Sequence, residues 1–180
     1  MRINCMSVLI HKFVQPKVLG TPIFDKVDAI GNSLHHHLCS PEIFLNITNA
    51  NQPGNSSYKI QSVFSEFAAS IGFTSEKKGL FKHYATSGLR PDYYIKVEDS
   101  GILLEVERGK TIMNNMDLLD LWKCHICKEA DYLFLMLPSK LAHNSNANTY
   151  NTFNKVVDRM SPFFLEGNYT NVHALFIFGY

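Results

Sequence analysis

Three acidic residues carry the clearest chemical signal in the chain: Asp92, Glu105 and Glu107. Asp92 and Glu107 flank, and Glu105 lies within, a stretch from Tyr93 to Val106 that alternates side-chain character around Glu98-Asp99-Ser100-Gly101. Alternation with period two marks strands, and Asp, Ser and Gly mark the turn between them. With those four residues as the hairpin tip, Val97 faces Ile102 and Asp92 faces Glu107. One face then holds Tyr93, Ile95, Val97, Ile102, Leu104 and Val106. The other holds Asp92, Tyr94, Lys96, Leu103, Glu105 and Glu107. Three carboxylates within cross-strand reach destabilise each other unless something neutralises them. Mg²⁺, with Mn²⁺ as substitute, takes oxygen ligands of this kind, so Asp92, Glu105 and Glu107 are the expected metal ligands. The competing reading is a solvated acidic face.

The elements around this hairpin follow from spacing. Thr21 is a fitting N-cap and Pro22 a fitting first helical residue, with Ile23, Val27, Ile30, Leu34 and Leu38 at helical intervals. Asn46 to Ser57 is polar and bears Gly and Pro, which predicts a loop or linker. Tyr58 to Gly72 reads as a second helix, with Ile60, Val63, Phe64, Phe67 and Ile71 on one face. Leu80 to Ala85 is a weaker strand candidate. After the hairpin, Thr111 to Lys128 is expected to be helical, burying Ile112, Met116, Leu119, Trp122 and Ile126. Tyr132 to Leu137 is an apolar strand that Pro138 ends. A helix near Tyr150 to Met160 and a strand over Val172 to Phe178 complete the chain. Helices interleaved with strands predict a mixed α/β layer fold.

Composition narrows the classes. The chain has 180 residues, 46% hydrophobic and 18% charged, which predicts one globular body with a real core. Net charge is +1, so any nucleic-acid contact must come from a local patch. No transmembrane run and no signal peptide are apparent, and 4 cysteines suit a reduced, cytoplasmic protein. Cys124-His125-Ile126-Cys127 lacks a second pair at zinc-finger spacing, so free thiols are expected; zinc would need Cys5 or Cys39. His35-His36-His37 reads as a solvated helix end.

Arg90-Pro91-Asp92, a short hairpin, then Leu103-Leu104-Glu105-Val106-Glu107-Arg108-Gly109-Lys110 resembles the motif of the PD-(D/E)XK nuclease superfamily. The order of elements extends the resemblance over Tyr58 to Pro138. It implies a restriction-endonuclease-like mixed sheet flanked by helices over residues 58–180; the polar seam sets off residues 1–57 before it as an extension with one helix and a linker. It also implies Asp92 and Glu105 as metal ligands in a Mg²⁺-dependent nuclease. The motif's lysine is replaced by Glu107, an arrangement that some restriction endonucleases share. Glu107 would complete the metal shell or act as general base, and Lys110 would supply the displaced cation. Arg108, Lys110 and Lys123 are the expected phosphate contacts, with Glu66 and His125 as accessory candidates. The run Glu105 to Gly109 is also similar to plasmid replication-relaxation and mobilisation accessory proteins. DNA is the expected partner, and restriction-type members often form homodimers. The alternatives are a catalytically inactive nucleic-acid-binding module and a protein-interaction domain.

Overall fold

The computed structural model describes residues 7–52, 54–76, 81–84, 89–109, 111–142 and 149–180. The chain opens with β1 (Leu9–Val14), followed by α1 (Pro22–Leu38), α2 (Pro41–Ala50) and α3 (Ser57–Ser70). Next come β2 (Thr74–Ser75), β3 (Tyr93–Val97), β4 (Ser100–Val106), α4 (Met116–Ile126) and β5 (Tyr132–Leu137). A small hairpin, β6 (Lys140–Ala142) with β7 (Thr149–Asn151), precedes α5 (Thr152–Met160) and β8 (Ala174–Gly179).

Six strands form one mixed sheet in the order β1-β8-β5-β4-β3-β2. The central three, β4, β5 and β8, run parallel, while β1, β3 and β2 pair antiparallel with their inner neighbours. Parallel neighbours need crossovers, and α4 and α5 lie in the two connections. Both faces are covered, which explains why β4, β5 and β8 are buried along their whole length. Tyr132, Phe134 and Met136 of β5 point to the core shared with α1, α2 and α3. Leu133, Leu135 and Leu137 point to the core shared with α4 and α5.

α1 begins as its sequence requires: the Thr21 hydroxyl accepts from the Phe24 N–H at 3.3 Å, with Pro22 next in line. Gly31 sits where this helix meets the sheet, and a Cβ there would lie 2.7 Å from the Phe176 ring. The close approach therefore needs glycine.

Several expectations are corrected. Residues 1–57, expected as an extension with one helix and a linker, contribute β1 to a sheet edge, and α1 and α2 bury apolar side chains in the core shared with α3. The stretch expected as linker from Asn46 to Ser57 is helical through Ala50, because Ile43, Phe44 and Ile47 give it an apolar side. Of the strand proposed over Leu80 to Ala85, Phe81–Tyr84 form turns and the end residues lie outside the described residues; the edge strand is β2 instead. The hairpin turns at Glu98-Asp99, so Val97 pairs with Ser100 and Ile95 with Ile102. Shifting the pairing by two residues preserves the face of every side chain, so the sorting of apolar and acidic residues survives. Thr111–Asn115 form turns, and α4 starts only after Asn115, which adopts a left-handed backbone with φ 53°.

The histidine run is not simply solvated. His35 Nε2 lies 2.8 Å from the Val8 carbonyl oxygen, and His37 stacks on Phe67 with centroids 3.9 Å apart. Cys39, Cys124 and Cys127 are free thiols, and Cys5 lies outside the described residues. Burial pushes the Cys124 thiol well above its usual range.

Candidate active site

The hairpin brings Asp92 and Glu105 together from the start of β3 and the far end of β4. The Asp92 N–H approaches Glu105 Oε2 at 3.4 Å, and Asp92 Oδ2 accepts from the Val106 N–H at 2.9 Å. Glu105 is only 3% exposed, on the sheet face that α4 covers. Glu107 follows two residues later on the same face. Its backbone is tied down on both sides: its N–H donates to Met136 O at 2.7 Å, and its carbonyl accepts from the Tyr180 hydroxyl at 2.6 Å.

α4 supplies the rest. Asp117, Asp120, Leu121, Lys123 and Cys124 are buried, whereas Leu119, Trp122 and Ile126 are exposed. Of the stripe expected to face the core, Leu119, Trp122 and Ile126 therefore face out while Ile112 still packs against the core, and Asp117, Asp120 and Lys123 face in beside Leu121 and Cys124. The reason is electrostatic. Lys123 Nζ lies 3.0 Å from Glu105 Oε1 and 2.9 Å from Asp120 Oδ1, so turning the helix over would leave Glu105 buried without a counter-ion. Asp117 meets Arg159 of α5 at 3.5 Å, which fixes the start of the helix.

The electrostatics follow from burial. Desolvation raises the carboxyl of Asp92 and pushes that of Glu105 well above the carboxylate range, with Lys123 opposing both shifts. Burial, then Asp120, raises Glu107 to about 8. Burial raises Asp120 to about 6 against the pull of Lys123. Burial alone would lower Lys123, but Glu105 and Asp120 outweigh it and hold the ammonium above its usual range. Near neutral pH the site thus contains a fixed cation, and Glu107 and Asp120 interact closely enough to share a proton.

Its fit to a divalent cation can be judged from the donors. All four acids offer hard oxygen. Asp120 Oδ1 lies 2.9 Å from the Lys123 ammonium, and its carboxyl is close enough to that of Glu107 to share a proton with it. Among the described residues no three acidic, histidine or cysteine side chains already stand at metal-binding positions. The donor atoms are of the type Mg²⁺ takes, and in this structure the Lys123 ammonium stands among them.

The remaining candidates divide. Lys123 was expected at the surface as a phosphate contact and is instead the buried centre of the cluster, 8% exposed. Arg108 donates to the carbonyls of Gln52 and Asn55, pinning the α2–α3 connection, so its guanidinium is occupied. Glu66 is exposed on α3. The α3 residue that reaches the site is Gln61, hydrogen-bonded to Asp92. His125 accepts from the Asn171 N–H at 3.0 Å, on the connection leading to β8. Lys110 lies outside the described residues. Asp120 and Gln61 were missed. The spacing of Asp117, Asp120 and Lys123 at i, i+3 and i+6 was the available signal for Asp120, because it marks one helix face.

No family model, curated protein or solved structure matches this chain. Fold and site together define a mixed α/β protein with a buried acidic centre at one end of its sheet. Among the described residues no helix is long and apolar enough to cross a membrane.

Proposed function

We propose that the protein is a Mg²⁺-dependent nuclease of restriction-endonuclease-like architecture that hydrolyses phosphodiester bonds in DNA. The observation that carries this reading is the gathering of Asp92, Glu105, Glu107 and Asp120 around one buried lysine. The element order from α3 to β5 supports the resemblance.

Asp92 and Glu105 would hold the ion, reached from β3 and β4. Bound Mg²⁺ would polarise the scissile phosphate and acidify a water molecule. Lys123 takes the part of the lysine that the motif lacks: its ammonium, 3.0 Å from Glu105, brings positive charge to where negative charge develops. Glu107 can take a proton from the attacking water and share it with Asp120. Arg108 and Gln61 act indirectly, the first by holding the α2–α3 connection and the second by orienting Asp92.

One observation favours a second reading. Lys123 already neutralises much of the cluster's charge, as it would in a catalytically silent nucleic-acid-binding module that needs no metal. The test is cleavage of single-stranded, duplex and branched DNA, with RNA as control, in Mg²⁺ or Mn²⁺. We expect cleavage by the wild type and its loss in Glu105→Ala. DNA binding in EDTA without cleavage on any substrate would favour the silent module. Neither binding nor cleavage would favour a protein-interaction domain.

A further inference from the structure

One edge of the main sheet, β1, carries unused backbone groups. The Tyr180 N–H donates to Leu137 O at 3.0 Å and its carbonyl accepts from the Ser139 N–H, so Tyr180 turns its backbone towards β5. Backbone direction alternates along a strand, so Gly179, Ile177 and Leu175 turn theirs towards β1, where they pair with Leu9, His11 and Phe13. Gln15, whose N–H donates to His173 O at 2.9 Å, continues that series. Ile10, Lys12 and Val14 therefore present their N–H and C=O groups outward, and among the described residues no strand lies beyond β1 to take them. Such an edge accepts another strand unless it is guarded. Leu9–Val14 contains no proline, its pairing with β8 has no bulge, and its one charge is turned aside. The Lys12 ammonium lies 2.6 Å from Asp28 and 2.8 Å from Asn32, both on α1.

The pattern of this edge fits its own copy. A two-fold antiparallel pairing uses all three outward residues only when it is centred on Lys12, which sets Ile10 against the copy's Val14. Each outward N–H then meets a carbonyl of the other copy. On the α1 side, Ile10 and Val14 already pack against the core and would carry that apolar surface across the join. On the other side His11 meets the copy's Phe13, a ring pair that already stands edge-to-face at 4.5 Å within one chain. Lys12 lies opposite itself, and the two Asp28 carboxylates neutralise the two ammoniums. Phe164 stacks on Phe13 at 5.1 Å, and Phe163 and Leu165 on either side of Phe164 stay exposed as further apolar contact.

We propose that β1 is the interface through which two copies of the chain join their sheets edge to edge, about a two-fold axis at Lys12. The acidic centre lies on β3 and β4, towards the other edge of the sheet, so joining at β1 does not cover it. Pairing at β1 is independent of the phosphodiesterase reading.

Small interfaces are weak and transient, so sedimentation velocity is run on the full chain from about 1 µM to about 500 µM. A monomer–dimer equilibrium should appear within that range. By NMR hydrogen exchange, the Ile10, Lys12 and Val14 amides should gain protection as concentration rises, while those of His11 and Phe13 stay protected throughout. Val14→Pro removes an outward N–H, leaves the β1–β8 ladder intact and is of a kind that edge strands tolerate. It should weaken dimerisation about 30-fold, the scale of the two hydrogen bonds that a two-fold pairing would lose. Val14→Thr keeps the N–H and should stay within about 2-fold of the wild type. If circular dichroism shows that Val14→Pro does not fold, the exchange pattern of the wild type decides. Monomer at every concentration, protection at these amides that does not follow concentration, or a dimer that survives Val14→Pro would overturn the interface.

Discussion

The two faces of the sheet are packed on different principles: one is apolar throughout, while the other joins an apolar core to a buried charged cluster under α4. On the side of α1, α2 and α3 the helices present apolar side chains, and Val27, Leu34, Ile60 and Phe64 are all fully buried. On the other side α4 presents Asp117, Asp120 and Lys123 inward and leaves Trp122 56% exposed. Both α1 and α4 are amphipathic. Amphipathicity marks a helix in a sequence, but which side turns inward depends on what it meets. α1 meets Phe134 and Phe176, whereas α4 meets Glu105, whose buried carboxyl lies 3.0 Å from the ammonium of Lys123.

The largest expected effect breaks the second principle. Lys123→Ala strands Glu105 and Asp120 without their counter-ion and should cost about 3–5 kcal/mol at neutral pH by denaturant unfolding. The neutral pair Lys123→Met with Glu105→Gln should recover most of that loss, since what is costly is an unpaired buried charge rather than the absence of an ion pair. A cost below about 1 kcal/mol for Lys123→Ala would mean that electrostatics do not orient α4.

The first principle is tested at Gly31. Alanine normally favours a helix over glycine by about 1 kcal/mol. Here its Cβ would press on the Phe176 ring, so Gly31→Ala should instead destabilise by roughly 1–3 kcal/mol. A gain in stability would show that α1 has room to move away from the sheet.

Stability should also depend on pH through the acidic centre. The folded-state carboxyl of Glu107 lies at about 8, above its usual value of 4.5, so the folded state binds the proton more tightly. That contribution is fully present below about pH 4.5 and is lost as pH rises towards 8. In EDTA the melting temperature should fall across this window, and Glu107→Gln should flatten the slope. An unchanged slope in the variant would remove Glu107 from the account.

The smallest effect is expected on the outer side of α4. Trp122→Ser and Leu119→Ser should each change stability by no more than about 0.5 kcal/mol, because neither side chain is buried. A large loss would place that stripe in a core, as its spacing first suggested.

Much of the fold was legible wherever one physical signal dominated. The Thr21-Pro22 start of α1, the continuous apolar run of β5 and the alternation in the hairpin each had a single reading, and the structure follows them. β1 was overlooked because Leu-Ile-His-Lys-Phe-Val has no clean alternation; it is an edge strand whose residues are mostly half-buried. The turn was placed two residues wide of its true position because Ser100 looks like a turn residue, yet it pairs with Val97 while its hydroxyl bonds Asp131 at 2.7 Å. In the site, Asp92 and Glu105 were legible because they lie on one hairpin. The spacing of Asp120 and Lys123 marks one helix face, but their partner was not legible, since only tertiary packing brings α4 over Glu105.

The most direct measurement is anomalous diffraction from a crystal of the wild-type protein soaked in Mn²⁺. The account predicts a single strong peak within direct ligand distance of the Asp92 and Glu105 carboxylates, with Lys123 displaced but still adjacent, and no peak there in Asp92→Asn. No peak at millimolar Mn²⁺, or one away from these carboxylates with Lys123 still locked between Glu105 and Asp120, would contradict it.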